Sequence, residues 1–473
     1  MRALPREILR SGVGRLGVIL AIVLSVLAIW VVLTYPPDFG PKRWSDPSVW
    51  ADYPKAAPPA WTNLFGANRV QHRILTATEP SEVKQRGKAE VRTYAMPFTF
   101  SESEAPTFLS FQLGEVTFNA RPPSYSVVLV RPDGAEVTLY RDTVSGARPG
   151  ESGPPYVRNA DKPARVLLSA ESSAAEATAK MLQEQYGLTV DPSDLQGRIE
   201  EALFGEPDGN GGYTPLHGDY RIEVRMAVAD PADTIAQVGA VAGGAVYGLA
   251  GTDTQGRDLM QGLLFGLPVA LLIGLLASVV STTLGTSLGL ISGFMGGRVD
   301  LFIQRSADVV NNVPTLPLLI FMVYVFGSQL WLIMLVLVLF SWPGLTITVR
   351  SMVLGLRGGS EVEAARALGA SRRYIIRRHV FPHTAPFVFT SMVFFVPATI
   401  LAEAGLSFLG LGDPSLPTWG QILEEGFRTG AVFLGYWWWV IGPGLMIVIT
   451  AVTFMLLSVA MEPIVNPRLR RES

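Results

Sequence analysis

Four histidines, forty acidic residues and no cysteine are the raw material for chemistry in this chain. Without cysteine there are no disulfides, thiolate metal sites or thiol nucleophiles. His72 and His217 stand alone. His379 and His383 have the i, i+4 spacing of a helical metal pair, but Pro382 between them argues against one. The acidic residues show no spacing that suggests a catalytic couple. The phosphate-cradling pattern GxxxxGK[ST] is missing, because the single Gly87-Lys88 pair is followed by Ala89. The residues therefore predict no catalytic role, no metal and no cofactor in this chain, and no ATP hydrolysis by it alone.

One segment does point to a mechanism, and it is mechanical. From Gly359 to Pro382, Ser360 and Glu363 have the spacing of a capping box, Ala364, Ala365, Ala367 and Leu368 propagate helix, and Gly369 is a natural C′ residue. Ser371 is placed to cap a second short helix that Pro382 stops. Small residues on the first helix let another surface approach, and Ile375 and Ile376 pin the second. Two short helices meeting at a glycine corner form a knob suited to a partner's groove. Its arginines, taken singly, need do no more than enforce membrane topology.

The elements that position this knob are apolar. Half the chain (49%) is hydrophobic and 16% charged, against roughly a quarter charged in soluble domains. The net charge of −2 steers it toward no nucleic acid. Six runs are long enough to cross a bilayer: Leu16–Leu33, Leu263–Ile291, Leu301–Phe326, Leu330–Val349, Phe387–Leu406 and Tyr436–Met461. The first follows Arg2, Arg6, Arg10 and Arg15. It reads as an uncleaved anchor with a cytoplasmic N-terminus; the rival, a cleaved signal peptide, lacks a small-x-small site. Six spans then put Arg298, Arg305, the arginines from Arg350 to Arg378, and Arg468, Arg470 and Arg471 inside, so the C-terminus is cytoplasmic and residues 35–260 are extracytoplasmic.

The expected organisation is an N-terminal tail and first span (1–34), a connector (35–66), an inserted β-rich α+β domain (67–246), and a helical core (251–467) carrying the knob (358–383). Pro36 to Ala60 reads as an extended strap. In the insertion, Arg131-Pro132-Asp133-Gly134 signals a turn between Val127–Val130 and Glu136–Tyr140, while Ala170–Gly187 and Pro192–Phe204 have helical spacing.

Within the spans, Asp308, Asn311 and Asn312 are candidates to line a pathway or to bond helix to helix. Gly285, Gly289, Gly293 and Gly297 form a small-residue stripe for packing against either a second subunit or this same chain. Glu403 suits a structural role, and Pro314, Pro317, Pro343 and Pro397 mark kinks or are tolerated.

Glu-Ala-Ala, three residues on to Gly369, and then the Arg-His-x-x-Pro ending resemble the coupling motif of ATP-binding-cassette (ABC) importer permeases, in the dipeptide and oligopeptide branch. Gly251-Thr252-Asp253-Thr254-Gln255-Gly256-Arg257-Asp258 resembles the signature before that family's second span. Ala402 to Gly412, with Pro417-Thr418-Trp419-Gly420, resembles its outer segment. Phe381 replaces the usual leucine, and the insertion is one that ordinary members lack.

The resemblance implies a mainly α membrane protein of the type I importer permease fold in the inner membrane. It implies coupling through Glu363, Ala364, Ala365, Gly369, Ile375, Ile376, His379, Phe381 and Pro382. It also implies a second homologous permease, two cytoplasmic ATPases using ATP and Mg, an extracytoplasmic binding protein, lipid surroundings and peptide cargo. Oligosaccharides or metal chelates are alternative cargoes. A ligand receptor is the rival of another class; a secondary transporter and an enzyme in the insertion are weaker ones.

Overall fold

The computed structural model describes residues 11–66, 68–86 and 89–465. Arg2, Arg6, Arg10, Lys88, Arg468, Arg470 and Arg471 lie outside them. Two compact units form: one from the segments up to Val49 and from Leu259, the other from Trp50–Asp258.

Helix α1, Gly12–Thr34, begins where the Ser11 hydroxyl accepts the Gly14 N–H at 2.9 Å. Its 23 residues rise about 34 Å, enough to cross a bilayer. The expected strap is not extended at its start. Gly40–Trp44 forms a wide helical turn that buries Phe39 and Trp44, since aromatic side chains gain more from packing than from lying in the open.

In the Trp50–Asp258 unit, period-two alternation becomes sheet. Strands Glu82–Arg86, Ala89–Phe100, Gly218–Val228, Ser124–Val130 and Glu136–Thr143 lie in that order in an antiparallel sheet. Arg73–Ala77, Val238–Ala242, Leu109–Leu113 and Ala164–Leu167 form a second. Val127, Leu129, Ile222, Val224 and Met226 are fully buried in one core, as alternation predicts. The 131–134 turn forms: Gly134 takes φ +85°, and its N–H bonds Arg131 O at 3.0 Å. The helical insertion forms as α2, Ser172–Tyr186, and α3, Ile199–Leu203. The buried Arg131 guanidinium donates to the carbonyls of Ala202, Leu203 and Gly205, tying the turn to α3.

The other unit continues as α4 (Leu259–Met295), α5 (Gly297–Asn312), α6 (Thr315–Phe326), α7 (Leu330–Leu356), α8 (Ser360–Ala367), α9 (Arg372–Ile375), α10 (Phe381–Leu406), α11 (Trp419–Arg428) and α12 (Trp437–Val465). Among the described residues five helices are long and apolar enough to cross a membrane, and six if a bent pair counts as one span. That pair covers the third expected run and breaks at Pro314, one of the prolines named as marking kinks. α5 and α6 meet at 74° because Val313, preceding Pro314, is forced out of the helical region (ψ 124°). Pro343 and Pro397 sit inside unbroken helices, and Pro317 lies in the first turn of α6.

The glycine stripe packs within this chain. A Cβ at Gly285, Gly289 or Gly293 would stand 2.7–2.9 Å from α7 atoms (Trp342 O, Thr346 O and Val349 Cβ, and Val353 Cβ). Only glycine lets α4 and α7 come this close. Gly297 meets nothing within 4 Å and takes no part.

Candidate functional site

The knob is built on a buried footing. Val362 and Ala365 of α8, Ile375 of α9 and Val380 are all under 9% exposed. They share a core with Leu290 and Phe294 of α4 and with Leu345, Val349 and Val353 of α7, and Ile376 and Phe381 are packed against it. Ile375 and Ile376 thus pin the second helix. Ala365 faces inward, whereas the sequence placed it among the small residues open to another surface. Glu363, Ala364, Ala367, Gly369 and Pro382 remain exposed.

Gly369 takes φ +78°. Ala370 N–H reaches Ala365 O and Gly369 N–H reaches Arg366 O, both at 3.0 Å, which is the Schellman pairing that closes a helix and reverses the chain. Ser371 then caps α9 through Tyr374 N–H at 3.3 Å.

Two sequence expectations fail. The capping box is not made: α8 begins one residue earlier, with Gly359 in the cap position and no side-chain cap bond, so Ser360 is already helical. Pro382 does not stop the second helix either. Residues Ile376–Val380 widen into a π turn in which Phe381 N–H reaches back five residues to Ile376 O, and Pro382 falls in the first turn of α10, where its missing N–H costs nothing. The knob therefore runs straight into a long apolar helix.

Leu368, which the sequence reading used only as a helix former, is 88% exposed at the corner, and Tyr374 is 54% exposed. A leucine bared at a turn beside a pinned core is the signal that was overlooked. Around it Arg366, Arg372, Arg373, Arg377 and Arg378 are exposed, and none forms an ion pair among the described residues. His383 Nε2 and His379 Nδ1 lie 3.4 and 3.9 Å from Glu361 Oε2. Among the described residues no group of side chains could hold a metal ion.

Asp308, Asn311 and Asn312 fall in the last turns of α5, just before the bend, and are exposed. Asp308 pairs with Arg305 at 3.4 Å, and Asn312 Nδ2 donates to Asp308 O at 2.7 Å. They are not brought together with the knob by any described contact.

The two flanking signatures are structural. Asp253, fully buried, accepts Arg257 Nε at 2.5 Å and the N–H groups of Gln255 and Arg257, while Thr252 Oγ1 donates to Pro54 O at 2.7 Å. In the outer segment, buried Glu403 accepts the Ser407 hydroxyl at 2.7 Å, and Trp419 Nε1 donates to Leu263 O at 3.0 Å.

Residues 285–471 match the family model described as the binding-protein-dependent transport system inner membrane component. The dipeptide transport system permease protein DppC of Bacillus subtilis is 32% identical over 222 residues, which cover 47% of this chain and 69% of that protein. The oligopeptide transport system permease protein OppC of Haemophilus influenzae is 33% identical over 223 residues, covering 47% and 71%. Among solved structures, the inward-facing MetNI methionine ABC transporter is similar at 18% identity and a TM-score of 0.36, covering 44% of this chain and 97% of that one.

Several long apolar helices, together with the match to an inner membrane component, make this a multi-pass membrane protein. The chain belongs to the family of binding-protein-dependent transport system inner membrane components.

Proposed function

We propose that this chain is the permease subunit of an ABC importer that moves peptides across the cytoplasmic membrane. The carrying observation is the corner at Leu368 and Gly369: an exposed leucine on a rigid Schellman turn, footed on α4 and α7 and continuous with α10. The chain has no phosphate loop of its own. Force from separate ATPases, using ATP and Mg, enters at this corner and passes into the spans as rigid-body motion.

Peptide cargo is supported by the relatives named for dipeptide and oligopeptide transport. A second homologous permease completes the pathway, which Asp308, Asn311 and Asn312 line near the bend. The knob and both termini face the cytoplasm. The Trp50–Asp258 unit is extracytoplasmic, where a binding protein delivers cargo.

Copurification from detergent tests this. Recovery of a second permease and P-loop ATPases, lost on Leu368→Asp, supports the reading. Recovery with signalling proteins only, or uptake of oligosaccharides or metal chelates but not peptides, overturns it or its cargo.

A further inference from the structure

The Trp50–Asp258 unit lies entirely before the residues matched by the family model. Its bared apolar side chains gather at one place. Leu64, Phe65 and Leu249 are 84, 81 and 67% exposed, while no other large apolar side chain described in the unit exceeds 52%. Scattered singly, such residues need no explanation; gathered on one tip, they mark a surface that something apolar covers.

The tip has a fixed shape. Ala60–Phe65 is a short 3-10 helix, in which residues three apart stand one above the other, so Trp61 and Leu64 share a face. Phe65 meets Trp61 edge to face, with ring centroids 6.1 Å apart. Trp61 Nε1 donates to Leu249 O at 2.9 Å, and Ala60 N–H reaches Gly248 O at 2.8 Å, which brings Leu249 into the same patch. Asn63 holds the Arg69 backbone both ways: its amide nitrogen donates to Arg69 O at 2.9 Å, and its oxygen accepts Arg69 N–H at 3.3 Å. The Thr62 hydroxyl donates to Pro59 O at 2.7 Å. Polar groups bonded from within are what a turn needs before it enters an apolar medium.

Two features point to a lipid surface as the cover. Leu249 stands ten residues before Leu259, where a helix long and apolar enough to cross a membrane begins, and ten residues reach at most about 35 Å. Pairing of Thr252 with Asp258 shortens that reach. The second feature is charge. Lys55 and Arg69, on either side of the turn, are exposed and form no ion pair among the described residues. Residues 53–72 and 234–252, which build this end of the unit, contain no Asp or Glu. An aromatic and aliphatic tip with cations at its shoulders suits the boundary between lipid phosphates and acyl chains.

We propose that Trp61, Leu64, Phe65 and Leu249 insert into the bilayer surface on the side where the unit lies, with Lys55 and Arg69 at the lipid phosphates. The contact needs only that the chain spans a bilayer, and it is indifferent to the cargo.

The chain has no cysteine, so a single introduced thiol is a unique probe. Phe65→Cys, Leu249→Cys and, on an edge strand of the same unit, Val83→Cys each carry a nitroxide in the full chain, reconstituted alone in vesicles of phosphatidylcholine and phosphatidylglycerol. Collision with oxygen, which concentrates in lipid, is compared with collision with a water-soluble nickel chelate. The oxygen-to-nickel ratio should be at least tenfold higher at 65 and 249 than at 83. Lys55→Glu with Arg69→Glu should lower it severalfold at 65. Two labelled positions keep the test decisive where one variant fails to fold.

A ratio at 65 and 249 equal to that at 83 overturns the insertion, and an unchanged ratio in the charge-reversed chain removes the two cations from the contact. Spin–spin broadening that disappears on dilution with unlabelled chain assigns the patch to a second copy. Protection that arises only in the assembled transporter assigns it to a partner subunit. Either result overturns the lipid contact and leaves the permease reading standing.

Discussion

Arg350 grips Asp300 with two parallel hydrogen bonds, Nε to Oδ1 at 2.5 Å and Nη2 to Oδ2 at 2.6 Å. The Ser292 hydroxyl adds a third at 2.5 Å, so one carboxylate joins the end of α4, the start of α5 and the C-terminal part of α7. This fork-to-fork geometry fixes orientation as well as distance. Asp300→Ala should lower thermal stability in detergent and free α5 from α7. The exchange Asp300→Arg with Arg350→Asp should recover part of the loss, and a double-mutant cycle should give a coupling of about 1–3 kcal/mol. Additive single effects would show that the pair holds nothing together.

Close contact of α4 and α7 predicts opposite outcomes for two glycines. Gly289→Leu places side chain where Thr346 O and Val349 Cβ already stand 2.8 Å from a Cβ, and folded protein should be lost. Gly344→Ala, on exposed α7 surface with nothing within 4 Å, should be neutral or stabilise by up to about 1 kcal/mol. Yield of monodisperse protein after size exclusion reads both.

At the knob, Gly369→Val puts a β-branched residue at φ +78°. The strain, about 1–2 kcal/mol, reshapes the corner and leaves the spans alone. The assembled transporter should then hydrolyse ATP without matching uptake, while membrane insertion stays normal. Normal uptake by this variant contradicts the coupling role of the corner.

Asp253 and Arg257 are both buried and bonded to each other. Arg257→Ala strands a buried carboxylate and should cost about 3–5 kcal/mol. Asp253→Asn keeps the single oxygen that accepts both backbone N–H groups and loses the one that accepts Arg257 Nε, and should cost less. Limited proteolysis of the 50–57 segment measures the difference.

His72 lies against Tyr53, Tyr247 and Phe108, and burial pushes its imidazole down to about 4 from an ordinary 6.5, with Asp52 opposing only in part. Between those values the unfolded chain holds the extra proton. Stability is thus complete above about pH 6.5 and falls as pH drops toward 4, by up to about 3 kcal/mol for this group. His72→Phe should flatten the melting profile across that window relative to the native chain; parallel profiles would remove His72 from the account.

Periodicity made much of this legible in advance. The apolar runs became helices, Val127–Val130 and Glu136–Tyr140 became a hairpin, and Gly369 became the C′ residue. What stayed hidden was long-range. Asp300 and Arg350 are fifty residues apart, and no local pattern joins them. The glycine stripe announced a close approach but not its partner, α7. Pro382 misled because a π turn, which five-residue hydrogen bonding permits, absorbs it. Ser360 misled because Gly359 had already started the helix.

The hydrogen bonds from Thr252 to Pro54 and Ala57 clasp the last stretch of the Trp50–Asp258 unit to its first. A folded module whose first and last stretches are buckled to each other closes on itself, so the two stretches should come loose together when the module unfolds.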